Sequence, residues 1–298
     1  MGLGDFVRRL LGMSRRGNGG RGVDELARRI GTSVEELRAV RPVYRPFDIP
    51  KRSGGVRRVL APEPALKSLQ RRILRRLLDR LVCHEAATGF ERGESIVTNA
   101  AWHVRRSVVV RMDVKDFFAS TAAARVREFF LAIGWGDDAS DLLIRLCTHA
   151  GGLPQGAPTS PRLSNLVNYV LDERLNALAA QFDAMYTRYA DDLTFSFAED
   201  SPEAVHAVIR LTKLIVEDEG YKLHMAKKLR IYHRHHRQLV NGLVVNEHVN
   251  LPRATRRWLR AVEHRVTAGR PVTLTPAQLD GWRALDAMVR NQRGGTDS

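Results

Sequence analysis

The hydrophobic pattern is clearest around residue 190, where two predicted strands flank a short turn. Residues 185–188 favour an extended strand, and apolar residues alternate with polar ones from Leu193 to Phe197, the period of a half-buried strand. The turn carries Asp191 and Asp192, whose adjacent carboxylates repel each other. A bound divalent cation would offset this repulsion, whereas an isolated Asp-Asp pair is more often only a solvated turn.

A third acid lies in a similar setting earlier in the chain. Asp113 follows the apolar run Val108 to Val110 and precedes Val114, so the pattern predicts that it ends or interrupts a buried strand. Three acids delivered by two strands can hold two Mg²⁺ ions roughly 3.5–4 Å apart, the arrangement used for in-line phosphoryl transfer. The flanking strands and Asp113 therefore favour metal binding over a solvated turn.

The remaining segments predict helices interleaved with strands. A hairpin is expected within residues 44–64, with its turn at 53–55 and basic residues on both sides of the turn. Apolar residues at helical spacing predict helices at 23–40, 64–82, about 161–181 and about 202–219, and an Arg-rich helix near the C-terminus. This mixture indicates an α+β fold with an antiparallel sheet.

The chain of 298 residues is strongly basic, with 48 Lys and Arg against 33 Asp and Glu and a formal net charge of +15. A nucleic acid partner is expected, because each phosphate contact made by a cation releases counterions. Cys83 and Cys147 lie in apolar segments and are expected to be reduced core residues of a cytoplasmic protein. No signal peptide and no apolar stretch of 18 residues is found, so no membrane association is expected.

Several motifs together resemble those of reverse transcriptases, and the resemblance extends from about residue 45 to 250. They occur in the same order as in that family. They are Arg111–Phe118 for the first metal motif, Leu153–Pro161 with Ser164-Asn165 for the template and nucleotide motif, Tyr189–Asp192 for the metal hairpin, and Gly220–Leu223 with Lys227-Lys228 for the motif that follows.

Within that family, the sequences of these motifs are most similar to those of bacterial retron reverse transcriptases. Gln155–Pro161 has their form of the template motif, and residues 99–103 match their Asn-Ala-x-x-His signature. Their Val-Thr-Gly signature stands here as Val-Asn-Gly at 240–242, a departure at its middle position. A second departure is Ala119, where many relatives have Pro.

The resemblance implies a role for each motif residue. Asp113, Asp191 and Asp192 would bind two Mg²⁺ ions, with the backbone carbonyl of Val114 as a further ligand. Lys227 would assist proton transfer to pyrophosphate, and the same role for the next lysine is left open.

The nucleotide contacts follow from the same resemblance. Phe118 matches the steric gate that crowds a ribose 2′-OH, with plain core packing as the alternative. Gln155 and Gly156 would line the nucleotide pocket, where a glycine allows close backbone approach. Lys51 and Arg57 match the basic positions that hold the triphosphate, with the residue after Arg57 as an alternative.

Recognition of RNA is expected at two further places. The asparagine and histidine of the Asn-Ala-x-x-His signature lie on one face if their segment is helical. The alternative for the histidine is a buried core position in which its ring nitrogens are hydrogen-bonded within the protein. The Val-Asn-Gly segment and the Arg-rich helix beyond it are the second place. The residues expected to contact RNA are Asn99, His103, Val240, Asn241, Gly242, Arg256 and Arg257.

The resemblance implies a right-hand polymerase. We expect an N-terminal helical extension with a basic linker at 1–40, fingers and palm at 41–245 with an antiparallel palm sheet, and a short thumb at 246–298. The expected function is RNA-directed synthesis of DNA from dNTPs on a dedicated structured non-coding RNA. In retrons an internal guanosine 2′-OH characteristically primes this synthesis, the single-stranded DNA product stays branched to RNA, and an effector protein joins them in antiphage defence.

Two alternatives remain open at this point. A reverse transcriptase of another bacterial lineage, abortive-infection or group II intron-like, would keep the chemistry and change the RNA. A non-catalytic RNA-binding scaffold is disfavoured, because a retired site has no reason to keep mutually repelling carboxylates.

Overall fold

The protein is described from a computed structural model that covers residues 20–50 and 54–294, without the side chains of residues 226, 227 and 292–294. In chain order the helices are α1 (Val23–Ile30), α2 (Val34–Ala39), α3 (Pro64–Arg76), α4 (Ile96–Ala101), α5 (Phe117–Ser120), α6 (Ala123–Ala132), α7 (Asp137–Cys147), α8 (Ser160–Val167), α9 (Tyr169–Gln181), α10 (Pro202–Asp218), α11 (Met225–Lys228), α12 (Arg253–Thr267) and α13 (Pro276–Gly294). The strands are β1 (Tyr44–Pro50), β2 (Val56–Pro62), β3 (Val108–Asp113), β4 (Ala184–Tyr189), β5 (Asp192–Phe197), β6 (Arg230–His233), β7 (Leu239–Val240) and β8 (Leu243–Val244).

The chain forms two compact units, and it passes between them several times. Among the described residues, unit 1 consists of 20–50, 54–87, Val114–Arg174 and Lys213–Leu223. Unit 2 consists of Thr88–Asp113, Leu175–Thr212 and the described residues 224–294. The domain boundaries that we expected near residues 40 and 245 stay predictions.

Unit 1 is built mainly of helices around one apolar core. Side chains from α1, α3, α6, α7 and α8 are fully buried there, because each helix turns an apolar face inward. Beside this core, β1 and β2 pair antiparallel from Tyr44 opposite Pro62 to Pro50 opposite Val56. The hairpin predicted within residues 44–64 is therefore confirmed, although the first residue of its turn at 53 lies outside the described residues.

Two helices that we predicted as continuous are broken, and the one predicted at 64–82 ends at Arg76, before a 3₁₀ turn at Leu78–Arg80. Gly31 ends α1 with a left-handed φ of 69°, and the Ser33 side chain then accepts a hydrogen bond from the Glu36 backbone N–H to begin α2. The second break lies at Asn168, whose side chain donates to the Ser164 carbonyl at 2.8 Å and ends α8. In both places a local side-chain or glycine preference overrides the apolar periodicity.

Unit 2 contains a four-stranded antiparallel sheet in the order β4-β5-β3-β6. The valines of β3 are fully buried at its centre, as their continuous apolar run predicts. The antiparallel sheet together with the helices confirms the α+β class.

The C-terminal part of unit 2 adds a small hairpin and two helices. Val240 and Leu243, one from each strand of the β7–β8 hairpin, pack in a buried cluster with residues of α4 and with Val289 of α13. Leu259 and Val262 of α12 are buried against Leu279 of α13. The Arg-rich helix predicted near the C-terminus is α12, whereas no prediction was made for α13.

Within the described part of the chain, none of the helices combines the length and the apolar character that crossing a membrane would require.

Candidate active site

Strand pairing brings the predicted acids to one end of the sheet in unit 2. Asp113, the last residue of β3, pairs directly with Asp192, the first residue of β5. Tyr189 pairs with Asp192 across the β4–β5 hairpin, so Ala190 and Asp191 form a two-residue connection. Ala190 has a φ of 57°, the left-handed conformation that tight hairpin connections require. The predicted hairpin with two acids at its tip is confirmed.

The electrostatics of these acids reflect their crowding. Burial raises the pKa of Asp191 above its ordinary value, and the neighbouring carboxylate of Asp113 raises it further. Burial also raises the pKa of Asp192, while the Arg111 guanidinium acts in the opposite direction. The fold therefore holds carboxylates where they are costly to ionise, which is typical of functional sites.

Two basic side chains partly neutralise the cluster. Arg111 Nη2 donates to Asp192 Oδ2 at 2.9 Å, from a position on β3 two residues before Asp113. Lys228 Nζ donates to Asp113 Oδ2 at 2.5 Å. The segment that carries this lysine is held in place by a backbone hydrogen bond of 2.8 Å from His224 N to the Asp113 carbonyl. Sequence reasoning assigned no role to Arg111 and left Lys228 as the alternative to its neighbour.

The structure bears directly on the choice between the two lysines. The Lys227 side chain, our first choice, lies outside the described residues. The Lys228 ammonium group lies in the carboxylate cluster and is half exposed. Of the two, Lys228 is the lysine with an observed contact to a predicted metal ligand.

The side chains fit a divalent metal ion in their chemistry. Carboxylate oxygens are the ligands that Mg²⁺ prefers, and Asp113 Oδ1 is buried without a hydrogen-bond partner among the described residues. Across the same residues, no three acidic, histidine or cysteine side chains already converge on one point as a metal site. His224 Nε2 lies 3.9 Å from Asp113 Oδ1. An oxygen without a hydrogen bond and the repulsion at Asp191 nevertheless indicate where a cation would be stabilised.

Comparison with known proteins gives this arrangement its context. Residues 49–243 match the family model described as reverse transcriptase (RNA-dependent DNA polymerase). The chain belongs to the reverse transcriptase family. The family generally uses divalent metal ions, in agreement with a cluster of carboxylates at the end of the sheet.

The relatives place this reverse transcriptase among those of the retron type. It is 39% identical over 297 residues to the retron Mx65 reverse transcriptase of Myxococcus xanthus, covering 91% of this chain and 69% of the relative. It is 38% identical to the retron Mx162 reverse transcriptase of the same organism, covering 83% of this chain and 59% of the relative. Identity to the retron Ec86 reverse transcriptase of Escherichia coli is 35%, covering 76% of this chain and 71% of the relative.

The residues expected to contact the nucleotide lie in unit 1, apart from Lys51, which is outside the described residues. The Leu60 N–H donates to the Gln155 carbonyl at 2.7 Å, which fixes the template motif against β2. Gly156 has a φ of 123°, and a Cβ there would lie 2.7 Å from Val59 Cγ1. The close approach that this glycine permits is therefore to β2, the strand on which Arg57 is exposed.

Val114 and Phe118 follow Asp113 in the chain and belong to unit 1. Val114 is buried and bridges to Leu223 in antiparallel fashion. Phe118 is half-buried and packs against the unit 1 core, with its ring 5.7 Å from that of Phe117. Partial exposure leaves both roles considered for Phe118, steric gate and core packing, in place as predictions.

Asn99 and His103 are buried side by side in unit 2, with 1% and 0% of their surface exposed. Asn99 lies in α4, and His103 lies two residues beyond the end of that helix. Both side chains hydrogen-bond within the protein, and they share the hydroxyl of Thr187 of β4 as a partner. Direct contact with RNA, which we expected of both, stays a prediction that this burial argues against. The alternative of a satisfied core histidine describes His103 as observed.

The other residues expected to contact RNA differ in their exposure. Val240 is fully buried in the core cluster, Asn241 is half-buried and Gly242 is exposed. Arg256 and Arg257 are exposed on α12. The surface offered at these positions is therefore the turn at 241–242 and the basic face of α12.

A basic surface that was not among our site residues lies on α3 in unit 1. A groove of about 490 Å³ runs beside this helix. Lys67, Arg71 and Arg75 follow one another at a rise of about 6 Å along the helix and have no acidic partner among the described residues. The groove is lined by Pro62, Pro64, Lys67, Ser68, Arg71, Arg72 and Arg75.

Proposed function

We propose that this reverse transcriptase copies part of a dedicated, structured non-coding RNA into single-stranded DNA from dNTPs, as the polymerase of a retron. The observation that carries the proposal is the cluster of Asp113, Asp191 and Asp192 at one end of the sheet in a chain similar to retron enzymes. The net charge of +15 supports a polyanionic substrate.

The three carboxylates are proposed to hold two metal ions. Two Mg²⁺ ions, when bound, would activate the primer hydroxyl and neutralise the triphosphate for in-line attack. The Val114 carbonyl is a further proposed ligand. Asp113 Oδ1, which accepts no hydrogen bond, and the crowding of Asp191 support this role, because a cation relieves both costs.

Lys228 is proposed to act at the leaving group. When the primer oxygen bonds to the α-phosphorus, the bond to pyrophosphate breaks and the departing oxygen takes up charge. An ammonium group at Nζ can donate a proton there, and its contact with Asp113 supports a place beside the metal ligands. Lys227 remains the rival for this role. Arg111 is proposed to orient Asp192 through its 2.9 Å hydrogen bond.

The rest of the polymerase is assigned by family. We propose that the sheet of unit 2 is the palm, that the β1–β2 hairpin and the helices around it belong to the fingers, and that α12 and α13 form the thumb. Arg57, Gln155 and Gly156 would then bind the incoming dNTP, and Phe118 would exclude ribonucleotides. The close packing of Gly156 on β2 supports a common role for that hairpin and the template motif.

The RNA is proposed to be both template and primer. Synthesis from an internal guanosine 2′-OH would leave the single-stranded DNA branched to the RNA. We further propose that the complex acts in the cytoplasm with an effector protein in antiphage defence. These features rest on similarity to retron enzymes.

Expression of the gene together with a few hundred bases upstream of it tests the proposal. Nucleic acid purified with the protein should contain a DNA strand that persists after RNase treatment and retains a ribonucleotide at its 5′ end. The Asp191→Asn variant, expressed beside the same upstream sequence, is the control and should yield RNA alone. If the wild-type protein co-purifies with RNA but without DNA, the proposal is contradicted.

A chimera tests where the RNA is recognised. Exchange of residues 240–298 for the equivalent segment of another retron enzyme should transfer the choice of RNA without changing the chemistry, because the turn and the basic face of α12 are exposed. Sequencing of the co-purified RNA shows whether the chimera binds the original RNA or the RNA of the enzyme that donated the segment. A chimera that still selects and extends the original RNA would place recognition elsewhere in the chain.

A further inference from the structure

Five buried polar side chains in unit 2 form one hydrogen-bonded network. We call it the Asn99 network; its members come from residues far apart in the sequence, and each is at most 3% exposed. An unsatisfied polar group at this depth would cost about 1–3 kcal/mol. Its members are Thr88, Asn99, His103, Thr187 and Ser196.

The network satisfies its central side chains. Asn99 Nδ2 donates to the hydroxyls of Thr88 and Thr187, both at 2.8 Å. His103 Nδ1 lies 2.7 Å from Ser196 Oγ, and His103 Nε2 lies 2.8 Å from Thr187 Oγ1. A neutral imidazole has one donor and one acceptor, and hydroxyl groups can complement either. The geometry therefore gives both ring nitrogens of His103 a hydrogen-bond partner in either tautomer.

One end of the network is hydrogen-bonded to β4 and β5, the strands of the hairpin that carries Asp191 and Asp192, which we call the catalytic hairpin. Thr187 lies in β4 two residues before Tyr189, the partner of Asp192, and Ser196 lies in β5. Thr88 binds the carbonyl of Arg188 through both its N–H, at 3.0 Å, and its hydroxyl, at 3.3 Å. The carboxylates at the tip thus extend from strands that these bonds fix at Thr187, Arg188 and Ser196.

The other end of the network is a single side chain on the β7–β8 turn. Asn241 Nδ2 donates to Asn99 Oδ1 at 2.6 Å, so it uses the acceptor that Asn99 has left. Asn241 and Gly242 form a two-residue connection with φ values of 49° and 81°. Positive φ at both positions is the pattern for which Asn-Gly is strongly preferred.

We propose that Asn241 is a positioning residue that fastens the β7–β8 turn, through Asn99 and Thr187, to the strands of the catalytic hairpin. The proposal rests on the proposed function, because it assumes that Asp191 and Asp192 bind the metal ions. The β7–β8 turn and the strands that carry these carboxylates then belong to one hydrogen-bonded unit. A nucleic acid that contacts the exposed side of the turn is thereby linked to the geometry of Asp191 and Asp192.

The same geometry accounts for the departure at the middle of the Val-Asn-Gly segment. A β-branched threonine at a φ of 49° would be a conformational outlier, whereas asparagine tolerates this region. The asparagine amide also supplies the N–H that Asn99 Oδ1 accepts. In this chain, Asn241 therefore serves the backbone of the turn and the network together.

Asn241→Gly is the decisive variant, because glycine keeps the positive φ and removes only the side-chain link. Its matched control is Asp183→Gly. Asp183 also has a left-handed φ, of 48°, lies directly before β4, and has no side-chain partner among the described residues. A second pair tests the network itself: Thr187→Val removes the shared hydroxyl, and Thr187→Ser retains it.

The assay is single-nucleotide incorporation on an unrelated RNA template with a DNA primer, read beside a melting curve. Asn241→Gly should lower the maximal rate about tenfold, with the apparent dNTP affinity within about twofold of wild type, because displaced carboxylates slow the chemical step. Thr187→Val should lower the rate further, while Thr187→Ser and Asp183→Gly should stay near wild type. Equal rates for Asn241→Gly and Asp183→Gly would overturn the proposal.

A readout that needs no activity separates this proposal from the proposed function. The ring ¹⁵N and ¹H signals of His103 report its hydrogen bonds and should move in Asn241→Gly but not in Asp183→Gly. Unmoved signals would overturn the link even if the rate fell. If wild type does not extend any primer, the proposed function fails while these signals still decide the link. Should Asn241→Gly not fold, Asn241→Asp, which replaces the donor by an acceptor, should give the same changes.

Discussion

The buried imidazole of His103 makes a quantitative prediction about stability and pH. Burial lowers the pKa of His103 to about 3, from its ordinary value of 6.5. In the folded protein the ring therefore stays neutral over a range in which the unfolded chain takes up a proton. The unfolded state binds more protons there, so stability rises with pH. The contribution is fully present above pH 6.5 and is lost as the pH falls toward 3.

The expected size of the effect follows from these two pKa values. When the pH falls from about 7.5 to about 5.5, a histidine that stays neutral in the folded state lowers the free energy of unfolding by about 1.4 kcal/mol. A folded pKa one unit higher gives nearly the same loss over this interval, because only the unfolded chain titrates within it. The prediction therefore depends mainly on complete burial, and His103 has 0% of its surface exposed.

The assay is urea unfolding of wild type, His103→Gln and His206→Gln at both pH values. Glutamine does not titrate, so His103→Gln should be less stable than wild type near neutral pH but should lack about 1.4 kcal/mol of the loss on acidification. His206 is exposed on α10, so His206→Gln is the matched histidine replacement outside the Asn99 network. Parallel pH dependences for wild type and His103→Gln would refute a neutral, buried His103.

Three further predictions concern the nucleotide, the leaving group and the RNA. Phe118→Val should raise the ratio of rNTP to dNTP incorporation by about 10- to 100-fold, and an unchanged ratio in an active enzyme would assign Phe118 to the core. Lys228→Ala should lower the maximal incorporation rate about 100-fold while Lys227→Ala changes it little; the reverse result would exchange their roles. Replacing both Lys67 and Arg71 by Gln should lower the slope of log affinity for RNA against log salt by about 1.5, whereas an unchanged slope would exclude the α3 groove as a phosphate contact.

The strands around the candidate site could be predicted from the sequence because their signal is local. Alternating polarity gave β5, and the valine run gave β3 with Asp113 at its end. The role of Arg111 could have been found in the same way, since residues two apart on a strand share a face and Arg111 precedes Asp113 by two. The continuous helices predicted at 23–40 and about 161–181 were wrong, because Gly31 and Asn168 impose local breaks.

The contacts made across long stretches of chain could not be predicted. Asn241 and Asn99 are separated by 142 positions, and Lys228 and Asp113 by 115. No periodicity encodes such pairs. The first depends on the packing of the β7–β8 hairpin against α4, and the second on the pairing of β3 with β6. The burial of Asn99 and His103 belongs to the same class: their helical spacing was visible in the sequence, but the strands that cover them were not.

The central claim is that the carboxylates at the end of the sheet catalyse RNA-directed DNA synthesis. Primer extension on an RNA template with dNTPs and Mg²⁺ tests it most directly, in wild type, Asp191→Asn and the control Asp183→Asn at the opposite end of β4. Wild type and the control should extend the primer, and Asp191→Asn should lose at least about 1,000-fold in rate. Its melting temperature should hold or rise slightly, because the substitution relieves repulsion with Asp113. Extension by Asp191→Asn at the wild-type rate would contradict the account.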